Sequence, residues 1–164
     1  MKSSKVEQAI NKQINAELYS SYLYLSMVAF FESHDQQGFA KWFRIQADEE
    51  YAHAMKFFDY LHNIGGKVTL SKIEGPKTNW DSFLTVFKET SKHEQEVTKS
   101  INDLVDLAIA EKDHATVNFL QWFVSEQVEE EATAEQNVRK MEMIGDSKSG
   151  LYMLNRELGS RVSE

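Results

Sequence analysis

Glu50 and His53 stand three residues apart in the stretch Asp48-Glu49-Glu50-Tyr51-Ala52-His53-Ala54. On a helix this spacing turns a carboxylate and an imidazole toward the same side, where both can bind a metal ion. That side is the apolar one: Phe39, Phe43, Gln46, Glu50, His53, Phe57, Tyr60 and Ile64 recur at heptad-like spacing. Three other segments carry a similar stripe, and each is interrupted by polar residues. One runs Ile10, Ile14, Glu17, Ser21, Tyr24, Val28, Phe31, and another Phe83, Phe87, Thr90, Glu94, Val97, Ile101, Leu104, Ala108. The last runs Val117, Leu120, Val124, Gln127, then Glu130 or Glu131, Ala134, Val138, Met141.

Glu17, Glu50, Glu94 and Gln127 each fall within about a turn of the middle of their own segment. Packed side by side, segments of similar length bring them to one height. A single glutamate in such a stripe is ordinarily an edge residue whose carboxylate reaches water, and an isolated Glu-x-x-His occurs in many helices. Four polar interruptions at one level are a different matter. Buried carboxylates without partners cost several kcal/mol each before they repel one another. The stripes contain no lysine or arginine to neutralise them, so a bound cation is the simplest resolution. Carboxylates with one imidazole suit iron, manganese or zinc. The chain has no cysteine, which rules out thiolate sites, cysteine nucleophiles and disulfides.

The elements that must carry these residues are helices, expected at about 4–33, 37–64, 82–111, 114–144 and 148–160. Only HDQQG (His34 to Gly38) separates the first two, and EKDHA (Glu111 to Ala115), with Asp113 as N-cap, separates the third and fourth. Each pair therefore forms an antiparallel hairpin. Between the hairpins lies GGKVTLSKIEGPKTNW (Gly65 to Trp80), with three of the seven glycines and the sole proline, Pro76. Sixteen extended residues reach roughly 50 Å, and a 28-residue helix is about 42 Å long, so the link at 65–80 can run the length of a bundle. The expected architecture is all-α. It is one domain over 1–164, a four-helix bundle with one long crossover between helices two and three and a short fifth helix.

The first residues, MKSSKVEQAINK, lack a signal-peptide core, and the longest uncharged run, Leu18 to Phe31, is too short to span a bilayer. The reading is a soluble cytoplasmic protein with no membrane partner. A net charge of -8 without a basic cluster argues against nucleic acid and permits cations.

Four segments carry a family resemblance: NKQINAELYSSYLYLSM (from Asn11), DEEYAHAMKFFDYL (from Asp48), His93-Glu94 and NFLQWFVSEQVEEE (from Asn118). Over its whole length the chain resembles the non-haem ferritins of bacteria and archaea. The resemblance implies a hollow cage of twenty-four subunits that oxidises Fe(II) with O2 or H2O2 and stores ferric mineral. By it, Glu17, Glu50 and His53 hold a first iron, and Glu50 bridges to a second held by Glu94 and Glu130, with Gln127 close by. Glu49, Glu126 and Glu129, sharing Glu130, hold a third iron nearer the cavity, and Tyr24 supplies an electron beside the centre. The fifth helix, with Leu151, Leu154 and Leu158 on one face, packs with symmetry mates around a four-fold axis. Tyr51 stands where bacterioferritins place a haem-binding methionine, so no haem is expected. Gln127-Val128-Glu129-Glu130 stands where bacterioferritins and rubrerythrins repeat Glu-x-x-His, which favours iron passing through over a permanent di-iron cofactor. The rivals are a peroxide-scavenging di-iron enzyme or mini-ferritin, and a helical interaction protein that binds no metal.

Glu131 reads as a solvated residue, and His34, His62 and His114 as surface groups at helix ends. His93 points about 100° from Glu94 and is at most a helper behind the site. Trp42, Trp80, Trp122 and the six methionines read as packing.

Overall fold

The computed structural model describes residues 3–163. Five helices account for its regular structure: α1 Ser4–Ser33, α2 Gln37–Asn63, α3 Phe83–Ala110, α4 His114–Ile144 and α5 Lys148–Leu158. The expected spans hold to within two residues at every end, and the expected Asp113 cap forms, its side chain accepting from the Thr116 N–H. Ser3, Ser82 and Ser147 cap α1, α3 and α5 in the same way. Each satisfies a backbone donor that the first turn leaves unpaired.

α2 has no such cap of its own, because the Gln36 side chain makes no capping bond. The missing acceptor comes from far along the chain: Asn155 Oδ1 of α5 accepts from the Phe39 N–H at 3.0 Å. Gly38 permits this approach. A Cβ there would lie 1.7 Å from the Asn155 carbonyl oxygen, so any larger residue would push α5 away.

α1 pairs with α2 and α3 with α4, the two expected hairpins. The crossover between them runs alongside α1, and α1 supplies its hydrogen bonds. Asn11 donates to the Lys67 carbonyl and accepts from the Thr69 N–H, Asn15 donates to the Ser71 and Lys72 carbonyls, and Ser26 donates to that of Lys77. The rising order on both sides shows that crossover and α1 run in parallel. α3 must then run antiparallel to α1, as the pairs Ser100–Gln13, His93–Ser20 and Thr90–Met27 confirm. Trp80 closes the link, its ring set edge-on against Phe30 and its Nε1 donating to Glu89.

The apolar core falls into two clusters. One gathers Met27, Phe31, Phe39, Phe43 and Phe87 with Leu154 and Leu158 at the α5 end. The other gathers Ile10, Ile14, Phe57, Leu61, Ile101, Leu120 and Phe123 at the opposite end. The α5 stripe differs from expectation: Leu154 and Leu158 are already buried against their own chain, and the exposed apolar residues of α5 are Tyr152 and Met153. Packing on α2 and α4 thus uses the face that the resemblance assigns to symmetry mates. Among the described residues, no helix is long and apolar enough to cross a membrane.

Candidate metal centre

Between the two apolar clusters lies a layer of buried polar side chains. Glu17 comes from α1, Glu50, His53 and Gln46 from α2, Glu94 from α3, and Gln127 and Glu130 from α4, all nearly inaccessible to water. The alternative that the sequence leaves on α4 resolves to Glu130; Glu131 is half-buried. Each helix contributes its mid-length residue because its apolar stripe faces the bundle axis along its whole length.

Two groups of ligand atoms lie within 4.8 Å of one another in this layer: Glu17, Glu50 and His53, and Glu50, Glu94 and Glu130. Glu50 is common to both. A third group, His53 with Glu126 and Glu130, meets the same criterion. His53 thus faces two ways. Its Nδ1 lies 3.3 Å from Glu50 Oε2 and 4.0 Å from Glu17 Oε2, while its Nε2 lies 4.0 Å from Glu126 Oε1. The rings of Trp122 and Phe123 hold it edge-on.

Uncharged donors orient the carboxylates. Gln13 donates to Glu17 Oε1 at 2.9 Å, and Gln46 donates to Glu50 Oε1 at 3.1 Å and Glu130 Oε2 at 2.7 Å. The Tyr24 hydroxyl and the Gln127 amide both donate to Glu94. The other Glu17 oxygen, Oε2, is buried with no hydrogen-bond partner. An orphaned carboxylate oxygen facing an imidazole nitrogen and a second carboxylate is what a site for a hard cation offers.

The electrostatics follow from this crowding. Burial first, then repulsion from Glu94 and Glu17, raises the Glu50 carboxyl well above its ordinary range. Burial also lifts Glu94 to about 7, although hydrogen bonds from Tyr24 and Gln127 pull it back. Glu130 rises to about 8, through burial and then the charge of Glu94, against a hydrogen bond from Gln46. The Tyr24 phenol is raised by burial and by neighbouring Glu94. Without a cation the layer prefers to hold protons, and a divalent ion would displace them.

The residues expected to form a third site are less gathered. Glu126 faces His53 and Glu130, whereas Glu129 is exposed and Glu49 is tied to Arg161 at 2.8 Å. His93 does stand behind the site: its ring is edge-on to Tyr24, and its Nε2 pairs with Ser20 Oγ at 2.8 Å. Tyr51, on the outer side of α2, is exposed. Trp122 is 41% exposed, with the Lys56 ammonium 3.2 Å above its ring. Gln13 and the role of Gln46 escape a sequence reading, because an amide on an apolar stripe signals only that something polar lies opposite.

Residues 7–144 match the family described as a ferritin-like domain. A bacterial non-heme ferritin of Bacteroides fragilis is 46% identical over 161 residues, 98% of this chain and 100% of the relative. One from Staphylococcus aureus is 37% identical over 162 residues, 99% and 98% of the two chains. Among solved structures, an open pore ferritin from the archaeon Archaeoglobus fulgidus superimposes with a TM-score of 0.98 at 50% identity, covering 99% of this chain and 100% of that one.

Proposed function

The chain belongs to the ferritin family, and from that premise we propose that its polar layer is a ferroxidase centre through which iron enters storage. Two ferrous ions are the substrates. Glu17, Glu50 and His53 bind the first, and Glu50, Glu94 and Glu130 bind the second, with Glu50 between them and Gln127 orienting Glu94. Each Fe(II) gives up one electron, so a pair reduces O2 to H2O2 with uptake of two protons, or H2O2 to two waters. Carboxylates are hard ligands that stabilise the ferric product over the ferrous substrate, which makes oxidation downhill. Tyr24, hydrogen-bonded to the ligand Glu94, is placed to lend an electron.

The ferric product then leaves over Glu126, the residue already facing His53 and Glu130, toward the cavity by a third stop completed by Glu49 and Glu129. It is stored inside a cage of twenty-four copies in the cytoplasm. No haem enters this scheme. One observation carries the reading: carboxylates from all four long helices and one imidazole converge in a buried layer, and one carboxylate oxygen there has no partner.

The test is an anaerobic Fe(II) titration of metal-free protein, followed by admission of oxygen while absorbance and assembly mass are recorded. Two Fe(II) bound per subunit, rapid ferric absorbance and a twenty-four-subunit mass are expected. A compact monomer that develops no ferric absorbance would sink the proposal.

A further inference from the structure

The Gln46 amide donates to both Glu50 and Glu130, the carboxylates that connect the two ion positions. Its Nε2 carries two hydrogens, one directed at Glu50 Oε1 and one at Glu130 Oε2. Such an arrangement works only if the amide faces one way, with nitrogen toward the carboxylates and oxygen away. A flipped amide would set its oxygen against two anionic oxygens.

The oxygen end is held by a residue from the far end of the chain. Arg161 Nη1 donates to Gln46 Oε1 at 3.0 Å and to the Trp42 carbonyl at 3.1 Å. Its Nη2 donates to Glu49 Oε2 at 2.8 Å, and the guanidinium plane lies over the Trp42 ring, 4.5 Å from its centroid. The planar fork of an arginine is needed to reach Gln46 and Glu49 together. We infer that Arg161, acting through the Gln46 amide, is a positioning residue that presets Glu50 and Glu130 for the second metal ion. The inference rests on the ferroxidase reading for what that ion is, but the relay concerns divalent-ion binding and can be read without iron oxidation.

The relay has a specific signature. Gln46 makes no hydrogen bond to Glu17 or His53, and it holds Glu50 by Oε1 whereas His53 faces Oε2, so first-ion binding is expected to change less than second-ion binding. The assembled, metal-free protein is titrated anaerobically with Co(II), whose visible absorption reports each binding step and its coordination geometry. Native protein should show two steps per subunit. Arg161→Ala should weaken the second step about tenfold, the effect of removing a group that orients a ligand, and leave the first within about twofold. Gln46→Met should weaken the second step at least as much. The double variant should be no weaker than Gln46→Met alone, because Arg161 has nothing left to act through. If Gln46→Met does not assemble, Gln46→Asn replaces it in the cycle.

Additive losses in the double variant would overturn the relay. So would unchanged second-step affinity in Arg161→Ala with only a lower melting temperature, since Arg161 would then be merely a structural anchor. Full second-step affinity in Arg161→Lys would also overturn it, because a point charge would suffice. A single Co(II) step in the native protein would overturn the relay and the ferroxidase reading together, whereas the other adverse results remove the relay alone.

Discussion

The ends and the middle of this bundle are built from opposite materials. At one end Phe31 stacks on Phe43 at 5.4 Å, and at the other Phe57 stacks on Phe123 at 4.1 Å. Those contacts favour the folded state whatever the solution contains. In the middle, burial drives Glu50, Glu94 and Glu130 toward protonation, and the charge of Glu94 pushes Glu50 and Glu130 further. The middle is favourable only when something positive is present. The two apolar clusters hold four helices in register on either side of a layer that would, alone, push them apart. Stability and binding therefore sit at different heights of one structure.

This separation can be broken first at the ends. Phe57→Ala should lower the unfolding free energy of metal-free protein by about 3–5 kcal/mol, measured in urea, without changing how many Zn(II) ions bind per subunit. Loss of Zn(II) stoichiometry in a variant that still folds would mean the layers are not independent.

The next effect is on pH. Glu130 rises from 4.5 to about 8 on folding, so between those values the folded chain keeps a proton that the unfolded chain has released. The stability this proton confers is present in acid and is lost as pH rises from about 4.5 to about 8. Glu130→Gln has no proton to lose there and should flatten the decline by on the order of 2 kcal/mol. Parallel pH–stability curves for the two proteins would contradict this.

A smaller change should appear at the shared carboxylate. Glu50→Gln removes the need to keep a proton on this buried carboxyl and should stabilise the metal-free protein at neutral pH by about 1–2 kcal/mol. The same change should shrink the extra stability gained from zinc, because less binding free energy then favours the folded state. Melting curves with and without zinc decide it. If the metal-free variant melts no higher and zinc stabilises both equally, the glutamates do not share a site.

The smallest effect sharpens the comparison at one end. Asn155→Ala leaves the first turn of α2 without its acceptor and should cost about 1 kcal/mol. Hydrogen exchange should quicken at the Phe39 amide and remain slow at Glu50. Unchanged exchange at Phe39 would deny Asn155 its capping role.

The sequence reveals what helix periodicity carries. Glu17, Glu50, Glu94 and Gln127 stand out because each interrupts an apolar stripe at mid-length, and the crossover stands out by its glycines and Pro76. Contacts whose partners lie far apart in the chain have no periodic signal. Nothing in HDQQG says that Asn155 will cap α2, and nothing in Arg161 says that it will reach Gln46. Asn11, Asn15 and Ser26 look like solvated residues of a helix, yet they bind the crossover backbone. Gln46 is visible on the α2 stripe, but its task is set by Glu130, 84 residues later. The α5 leucines show the converse: the stripe is legible, while the surface it meets is decided by Gly38, which lets α5 come close.

The cap supplied by Asn155 to Phe39 also orders events during synthesis. A protein leaves the ribosome from its amino end, and helical hairpins can form as they emerge. The α1–α2 hairpin is exposed long before residue 155 is made, so a growing chain carries a second helix whose opening turn is unfinished. The guanidinium that grips Gln46 comes six residues later still. A chain that stops between residues 131 and 154 contains every proposed iron ligand and lacks both of these contacts, so the first hairpin made is completed only after all four long helices exist.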